Sequence, residues 1–335
     1  MNRKRAVIFG VTGQDGSYLS ELLLNKRYEV IGVSRRSSVN NKYRLKSILN
    51  DEYFKLVSGD VTDAGSVYSI INEYKPTEVY NLAAQSHVGD SFTQPNYTFN
   101  VVASGCINIL EAIKSQFPES RFYQASSSEM FGSSFSRVSD SIKWQDENTM
   151  FSPQSPYAIA KVAAHEAVKL YRKAYKLHAS SGILFNHESE RRGEEFVTRK
   201  ITKYIGNLKR HLDKHPDVVF PLLKLGNLDA SRDWGYAPEY VYAMWLMLQQ
   251  KEPDDYIIAT GLTKTVREFL DEGFSLLNYD YTRFIQIDPN LIRPAEVDFL
   301  RGDYTKAKNK LGWQPSVMFR DLVKKMVNHD IKNEQ

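Results

Sequence analysis

A glycine-rich turn near the start of the chain restricts its fold more than any other feature. The segment Gly10-Val-Thr-Gly13-Gln-Asp-Gly16 lies between an apolar run, Ala6–Phe9, and an amphipathic segment. Glycines let the backbone turn tightly and approach a pyrophosphate, while the N-terminus of the following helix offers unpaired N–H groups. Glycines are common in turns for other reasons too. The prediction therefore depends on the position of this glycine segment between a predicted strand and a predicted helix. The segment predicts a nucleotide-binding strand–turn–helix unit.

Short β-rich runs alternate with amphipathic segments through the first half of the chain. Such alternation is typical of a parallel sheet covered by helices on both faces. We therefore predict an α/β fold with a Rossmann-type, doubly wound parallel sheet. The predicted strands are Ala6–Phe9, Glu29–Val33, Lys55–Ser58, Glu78–Leu82, Arg121–Ala125 and His178–Phe185. The predicted helices between them are Ser17–Asn25, Ser66–Tyr74, Val101–Lys114 and Ala158–Tyr175.

The alternation weakens after Phe185, and helix candidates dominate the second half. We expect a smaller, discontinuous α/β domain for the substrate, packed on the sheet. The nucleotide-binding domain is expected to take residues 1–185 and about 227–260, and the substrate domain about 186–226 and 261–335. The helix candidates are Glu195–Lys214, Tyr240–Gln249, Val266–Leu277, Thr305–Lys310 and Phe319–Val327.

The composition limits the partners and the compartment. The 335 residues allow for about two domains. Lys and Arg number 44 against 40 Asp and Glu, and this surplus of +4 is too small to favour nucleic acid or a membrane surface. No apolar run approaches the roughly 20 residues that a membrane helix needs. A single cysteine, Cys106, fits a reducing compartment, so we expect a cytoplasmic location.

The residues after the second predicted strand indicate which dinucleotide binds. An NAD site usually presents an acid there for the ribose hydroxyls, whereas this chain has Ser34-Arg35-Arg36-Ser37-Ser38. Guanidinium and hydroxyl groups suit a 2′-phosphate, so NADP is favoured. The alternative interpretation is a solvated arginine pair. Asp60 follows the third strand and either reaches the adenine edge or serves as a plain turn aspartate.

Four residues suggest acid–base chemistry. Tyr157 and Lys161 are four apart on a predicted helix, so their side chains share a face, and an ammonium beside a phenol favours the phenolate as a base. Ser127 and Glu129 follow the fifth strand, at the sheet edge where doubly wound folds carry their chemistry. Ser127 could bond a sugar hydroxyl, and Glu129 could remove a proton beside a new ketone. Alternatively, Glu129 is an acid that meets a helix dipole.

The glycine turn and the Tyr-x-x-x-Lys pair together resemble the extended short-chain dehydrogenases/reductases. Longer stretches resemble one family among these, the GDP-mannose 4,6-dehydratases, and the likeness runs from Arg5 to about Asp330. These stretches are Val11–Leu19, Val79–Val88, Phe185–Ser189, Arg191–Glu194, Phe196–Thr202, Gly226–Ala230, Arg232–Gly235 and Arg293–Asp298.

The resemblance implies a role for each matching residue. Ser127, Glu129, Tyr157 and Lys161 match the catalytic groups. The matches to NADP contacts are Gly10, Thr12, Gly13, Gln14, Asp15, Gly16, Arg35, Arg36, Ser37, Ser38, Asp60, Val61, Leu82, Ala83, Ala84, Gln85, Ser86, Tyr97, Lys161, His187 and Arg192. The matches to contacts with the GDP-sugar are Ser86, Ser127, Glu129, Tyr157, Asn186, Val197, Lys200, Gly226, Arg232, Arg293 and Glu296.

The reaction implied by the resemblance is a hydro-lyase reaction on GDP-mannose. Oxidation at C4, loss of water across C5 and C6, and hydride return to C6 would leave GDP-4-keto-6-deoxymannose, the precursor of GDP-6-deoxyhexoses such as GDP-fucose or GDP-rhamnose. The cofactor would be recycled in place. The family also implies a homotetramer, a dimer of dimers. No metal site is expected, because His211 and His215 have helical ligand spacing but no third ligand.

The chain departs from the family pattern at several positions, and these leave alternatives open. Glu190 stands where proline is usual, Gln154 where arginine is common, and the segments Ser133–Asn148 and Val39–Leu45 diverge. Gly89-Asp90 follows a region expected near the sugar, so a related substrate such as a GDP-linked manno-heptose stays open. A single-step nucleotide-sugar epimerase or reductase and a non-enzymatic NADP-binding regulator are the other hypotheses.

Overall fold

A seven-stranded parallel sheet forms the centre of the molecule. The computed structural model describes residues 3–38, 41–139, 142–215 and 219–333. The strands are β1 (Arg5–Phe9), β2 (Glu29–Ser34), β3 (Phe54–Ser58), β4 (Glu78–Asn81), β5 (Arg121–Ser127), β6 (Arg137–Ser139), β7 (Ile142–Trp144), β8 (Ala179–Leu184), β9 (Asn186–Glu188), β10 (Leu223–Leu225), β11 (Ser231–Arg232), β12 (Trp234–Tyr236), β13 (Asp255–Ile258), β14 (Lys264–Thr265) and β15 (Ile285–Ile287).

Helices cover both faces of this sheet and build the second half of the chain. The helices are α1 (Gln14–Asn25), α2 (Ala64–Tyr74), α3 (Val88–Thr93), α4 (Pro95–Phe99), α5 (Gly105–Gln116), α6 (Pro156–Tyr175), α7 (Val197–Lys214), α8 (Ala237–Gln249), α9 (Val266–Ser275), α10 (Thr305–Leu311) and α11 (Phe319–Lys332). Within the described ranges, no helix combines the length and the apolar character needed to cross a membrane.

The strand order of the sheet fixes where a ligand can bind. The order is β13-β8-β5-β4-β1-β2-β3, and every neighbouring pair is parallel. The winding reverses between β1 and β4, and doubly wound sheets bind ligands at the carboxyl ends of the strands beside such a reversal. The predicted fold class, a Rossmann-type doubly wound sheet, is confirmed.

Strand β1 shows why the sheet is buried on both faces. Val7 and Phe9 point into a core with α2, α5 and α6, whereas Ala6 and Ile8 point into a core with α1, α8 and α10. Successive side chains of a strand face opposite sides, so a strand that is covered on both sides must be apolar throughout. All four of these residues are fully or almost fully buried.

A separate apolar core lies among helices of the second half. Helices α7, α9 and α11 pack around Trp234 and Phe269, and two short strands, β10 and β15, pair in parallel beside them. This arrangement is compatible with the predicted substrate domain, whose boundaries stay a prediction.

The predicted elements match the observed ones closely, with a few differences. The seventh strand, β13, and the helices α3 and α4 were not predicted, and Asn100–Ser104 forms a π-helical turn before α5. Strand β13 has only four residues, the first of which is Asp255, so its pattern alone could not separate strand from loop. The divergent segments Ser133–Asn148 and Val39–Leu45 lie partly outside the described residues.

Candidate active site

A cavity of about 640 Å³ opens at the carboxyl ends of β1, β4 and β5, beside the reversal in strand order. Nearly all the residues predicted to bind cofactor or substrate line it, together with the four predicted catalytic groups. The predicted residues that lie outside the lining are Arg36, Ser37, Ser38 and Gln85.

The glycine turn forms the floor of the cavity at the start of α1. Gly10 has a φ of +83°, and a Cβ atom there would lie 2.7 Å from the carbonyl carbon of Leu82. A Cβ atom at Gly16 would lie 2.5 Å from the carbonyl oxygen of Gly10. Any side chain at these two positions would collide with backbone, and no side chain caps the N-terminus of α1. The turn is therefore a close-approach cradle that fits the pyrophosphate of a dinucleotide.

The segment after β2 contributes less to the cavity than the sequence suggested. Arg35 lines the cavity and donates a hydrogen bond to the hydroxyl of Tyr97, which also lines it. Arg36, Ser37 and Ser38 are exposed and lie outside the lining. Their contact with the cofactor stays a prediction, and Arg35 is the candidate for a 2′-phosphate that lines the cavity.

Two further predicted cofactor residues have structural partners. Asp60 lines the cavity, but its Oδ1 accepts hydrogen bonds from the N–H of Thr62 at 2.9 Å and from its hydroxyl at 2.8 Å, as in a turn. Gln85 lies outside the lining, since its amide donates to the carbonyl of His87 and accepts from Thr98. Gln85 holds the turn after β4, and its predicted contact with the cofactor stays a prediction.

Ser127 and Glu129 stand where β5 ends. The backbone N–H of Glu129 donates to the Ser127 hydroxyl at 3.3 Å, so the Ser127 side chain caps a short 3₁₀ turn, Ser128–Phe131, which carries Glu129. Glu129 is only 9% exposed, and its carboxylate lies 4.0 Å from Nε of Arg232. This is a buried, partly compensated carboxylate in a cavity, as a general base requires.

Tyr157 and Lys161 lie on the first two turns of α6. The Ser155 hydroxyl caps this helix by accepting from the N–H of Ala158 at 3.1 Å. Nζ of Lys161 donates to the carbonyl of Ala125 at 2.6 Å and lies 5.7 Å from the centre of the Tyr157 ring. One helix face thus brings the phenol and the ammonium to the end of β5.

Burial shifts the pKa values of both members of this pair. Burial raises the pKa of Tyr157 to about 12, although a hydrogen bond with Ser127 and the charge of Arg192 lower it. Burial also lowers the pKa of Lys161 to about 8. Desolvation thus disfavours the charged form of each group, and the expectation that the lysine favours the phenolate stays a prediction.

The far end of the cavity is rich in charged groups. Arg232 Nη2 lies 3.0 Å from Glu296 Oε1, and Arg293 Nη1 lies 3.4 Å from the same oxygen. The remaining residues predicted for the nucleotide-sugar, Asn186, Val197, Lys200 and Gly226, line the same region. Forked guanidinium groups of this kind suit a diphosphate.

Some residues that contribute to the candidate site were not predicted from the sequence. Glu188 is almost fully buried in the lining, accepts a hydrogen bond from Thr198 at 2.5 Å and lies 3.2 Å from Nε of Arg192. Glu188 directly follows His187 within Phe185–Ser189, a stretch that matches the family, and this position could have indicated a role in the site. A buried hydrogen bond of 3.0 Å between Ser126 and His165 also ties β5 to α6.

Some of the positions that depart from the family pattern reach the cavity and others do not. Asn41 and Gly89 belong to the cavity lining. Asp90 does not line the cavity, and its exposed carboxylate is 2.9 Å from the His87 ring. Glu190 accepts a hydrogen bond from the Tyr18 hydroxyl, and the Gln154 amide donates to the carbonyl of Ser152. These contacts are compatible with altered loops around an unaltered catalytic centre.

Comparisons with known proteins agree with this geometry. The family model described as "GDP-mannose 4,6 dehydratase" matches residues 7–326. A relative named GDP-mannose 4,6 dehydratase 2, from Arabidopsis thaliana, is 52% identical over 340 residues, which cover 98% of this chain and 87% of the relative.

Solved structures resemble the fold. A dTDP-glucose 4,6-dehydratase from Streptomyces venezuelae superposes with a TM-score of 0.83 at 23% identity, covering 98% of this chain and 97% of the other. A UDP-glucose 4-epimerase from Thermus thermophilus gives 0.82, also at 23% identity, and covers 97% and 98%. Since both reaction types share the fold, the family assignment rests on the sequence match. The chain belongs to the GDP-mannose 4,6-dehydratase family.

Proposed function

We propose that this chain is a hydro-lyase that converts GDP-mannose to GDP-4-keto-6-deoxymannose, using bound NADP. The observation that carries the proposal is the placement of the Glu129 carboxylate in the same cavity as Ser127, Tyr157 and Lys161. A simple oxidoreductase needs only a hydroxyl, a phenol and a lysine. The buried carboxylate supplies the extra proton transfers that elimination of water requires.

The cofactor proposal rests on the glycine cradle and on Arg35. The turn at Gly10 and Gly16 leaves room for a pyrophosphate, and no carboxylate follows β2 to bind the ribose hydroxyls of NAD. The neighbouring lining residues Val61, Leu82, Ala83 and Ala84 would enclose the cofactor. The nicotinamide, when bound, supplies hydride acceptance and return.

The chain's own residues divide the proton chemistry between two carbons of the sugar. Tyr157 takes the proton from the O4 hydroxyl as C4 is oxidised, while the Ser127 hydroxyl bonds the same oxygen. Lys161 keeps positive charge beside the phenol. The ketone acidifies the C5 proton, which Glu129 removes; the same carboxyl group then protonates the departing C6 hydroxyl, so that water leaves and a C5–C6 double bond forms.

The substrate's nucleotide half is assigned to the charged end of the cavity. Lys200, Arg232 and Arg293 would neutralise the diphosphate. Glu296 can accept two hydrogen bonds from a guanine edge, in exchange for its contacts with the two arginines. Because Asp90 lies outside the lining, the structure offers no support for a changed sugar from that residue.

The assembly and the location are proposed from the family and the composition. We expect a homotetramer, a dimer of dimers, working in the cytoplasm. The single cysteine, Cys106, is buried and fits a reducing compartment. The described residues contain no cluster of His, Cys, Asp and Glu that could hold a metal ion, and the proposed chemistry uses none.

Turnover of GDP-mannose by wild-type protein and by Glu129→Gln tests the proposal. The variant should bind NADP normally but lose at least about 100-fold in kcat, because it removes the general base of the elimination. A matched control is Glu166→Gln, an acid on the exposed side of α6 that pairs with Lys169, which should keep normal turnover. Formation of the 4-keto-6-deoxy product is followed by NMR. Normal turnover by Glu129→Gln would remove this residue from the mechanism.

A further inference from the structure

Asp15 and His187 were both expected to contact the cofactor, but they bind each other. Nε2 of His187 lies 2.7 Å from Oδ2 of Asp15, and Nδ1 lies 2.8 Å from the carbonyl oxygen of Phe185. A carbonyl oxygen and an ionised carboxylate can only accept hydrogen bonds. Both ring nitrogens must therefore carry protons, which makes His187 an imidazolium paired with a carboxylate.

The surroundings hold this pair in place from several elements. The Gln14 amide on α1 donates to Oδ1 of Asp15 at 3.0 Å and to the carbonyl of His187 at 3.1 Å, and the Ser189 hydroxyl donates to the Gln14 carbonyl at 2.8 Å. The ring of Tyr240 on α8 stacks on the His187 ring at 4.8 Å. The pair thus links the glycine turn to β9.

Charged and titratable groups face the pair from every side. Arg192 acts on both partners, whereas Tyr157 and Lys161 on α6, together with Tyr123 on β5, feel the charge of Asp15. Burial opposes ionisation of both partners, but their mutual attraction outweighs it. The pKa of His187 is raised and that of Asp15 is lowered. Both shifts favour the ionised pair.

Asp15, His187 and Tyr157 line the same cavity, so the charge of Asp15 acts on the catalytic phenol. Among the causes that raise the pKa of Tyr157, this negative charge comes after burial and the charge of Glu129. A positive charge 2.7 Å from the carboxylate opposes the contribution of Asp15. Without His187, an uncompensated buried carboxylate would remain near the base.

We infer that His187 is a positioning residue for the reaction: as an imidazolium it holds and neutralises Asp15, so that the glycine turn keeps its carboxylate without suppressing ionisation of Tyr157. This inference rests on the proposed function, in which Tyr157 is the base. It assigns to His187 an electrostatic role toward the base, separate from any contact with a cofactor.

The pH dependence of kcat/KM with GDP-mannose distinguishes this role from a structural one. His187→Gln should move the acidic limb upward by about one pH unit, because Asp15 is left unpaired. Asp15→Asn should not move it upward, and the double variant should return near the wild-type position. His178→Gln is the matched control, since the His178 ring lies outside the cavity lining, where its Nε2 is 3.0 Å from the Gln250 carbonyl oxygen. Equal acidic limbs in all variants, whatever their loss of rate, would overturn the inference.

A second measurement does not depend on turnover. In protein without added cofactor, ¹⁵N NMR of the histidine rings should show both nitrogens of His187 protonated at pH 7.5, and Asp15→Asn should abolish this state. A neutral His187 tautomer at that pH would overturn the inference even in an active enzyme. An inactive wild-type protein with a protonated His187 would instead contradict the proposed function and leave the ion pair established.

Discussion

The side chains of Tyr157 and Lys161 are buried, and the loss of water around them shifts both pKa values. Burial raises the pKa of the phenol to about 12 and lowers that of the ammonium to about 8. The sequence identified both residues through their spacing, but spacing contains no information on burial. The sign of the phenol's pKa shift could not be predicted because it depends on the strands and helices that exclude water around α6.

Replacement of Lys161 by methionine should stabilise the cofactor-free protein while abolishing turnover. The folded-state pKa of Lys161 is lowered from 10.5 to about 8, so its charged form disfavours folding below that range. Lys161→Met should therefore raise the free energy of unfolding by about 1–2 kcal/mol at pH 7, after loss of the bond to Ala125. This gain should shrink as the pH rises from 8 towards 10.5. Urea denaturation at pH 7 and pH 10 measures both values; a gain independent of pH would contradict the argument.

Arg35 should bind the 2′-phosphate that distinguishes NADP from NAD. Arg35→Glu reverses the charge at this position and should weaken NADP at least about 10-fold more than NAD, because only NADP loses a charge-assisted contact. Arg283→Glu is the matched control, since Arg283 is exposed, lies outside the cavity lining and is not a predicted cofactor contact. Calorimetric titration of both cofactors gives the ratio of dissociation constants. Equal losses for the two cofactors in Arg35→Glu would show that Arg35 does not select between them.

At the scale of elements, the end of β5 positions the elimination chemistry. The 3₁₀ turn that carries Glu129 closes at Gly132, which has a φ of +54°, and a Cβ atom there would lie 1.9 Å from the Ser152 carbonyl oxygen. Neither the backbone angle nor the space admits a side chain. A glycine after a strand signals a turn in the sequence, but the close approach of residue 152 follows only from the tertiary fold.

Gly132→Ala should therefore displace the turn and the carboxylate of Glu129. We expect a loss of about 2–3 kcal/mol in stability and at least about 10-fold in kcat, since backbone must move. Gly312→Ala provides the matched control, because Gly312 has a φ of +66° but nothing within 4 Å of the added methyl group. It should cost about 1 kcal/mol and leave kcat unchanged. Thermal unfolding and turnover measure both effects; equal behaviour of the two variants would contradict the steric argument.

At the scale of the whole molecule, the predicted cavity residues come from distant parts of the chain and meet at one sheet edge. The alternating pattern predicted the sheet, and the rule for parallel sheets placed Gly10 and Ser127 at the same edge. The residues near Arg232 and Glu296 have no such pattern, so only the family resemblance indicated them. The pairing of Asp15 with His187 was not predicted because it joins elements 172 positions apart.

Transfer of a deuterium label within one sugar tests the account most directly. The protein is incubated with GDP-mannose that carries deuterium at C4, and the product is analysed by NMR and mass spectrometry. The account predicts a 4-keto-6-deoxy product with the deuterium at C6 and no accumulation of reduced cofactor. A product that keeps its C6 hydroxyl and differs only in its configuration at C4 would contradict it and identify an epimerase instead.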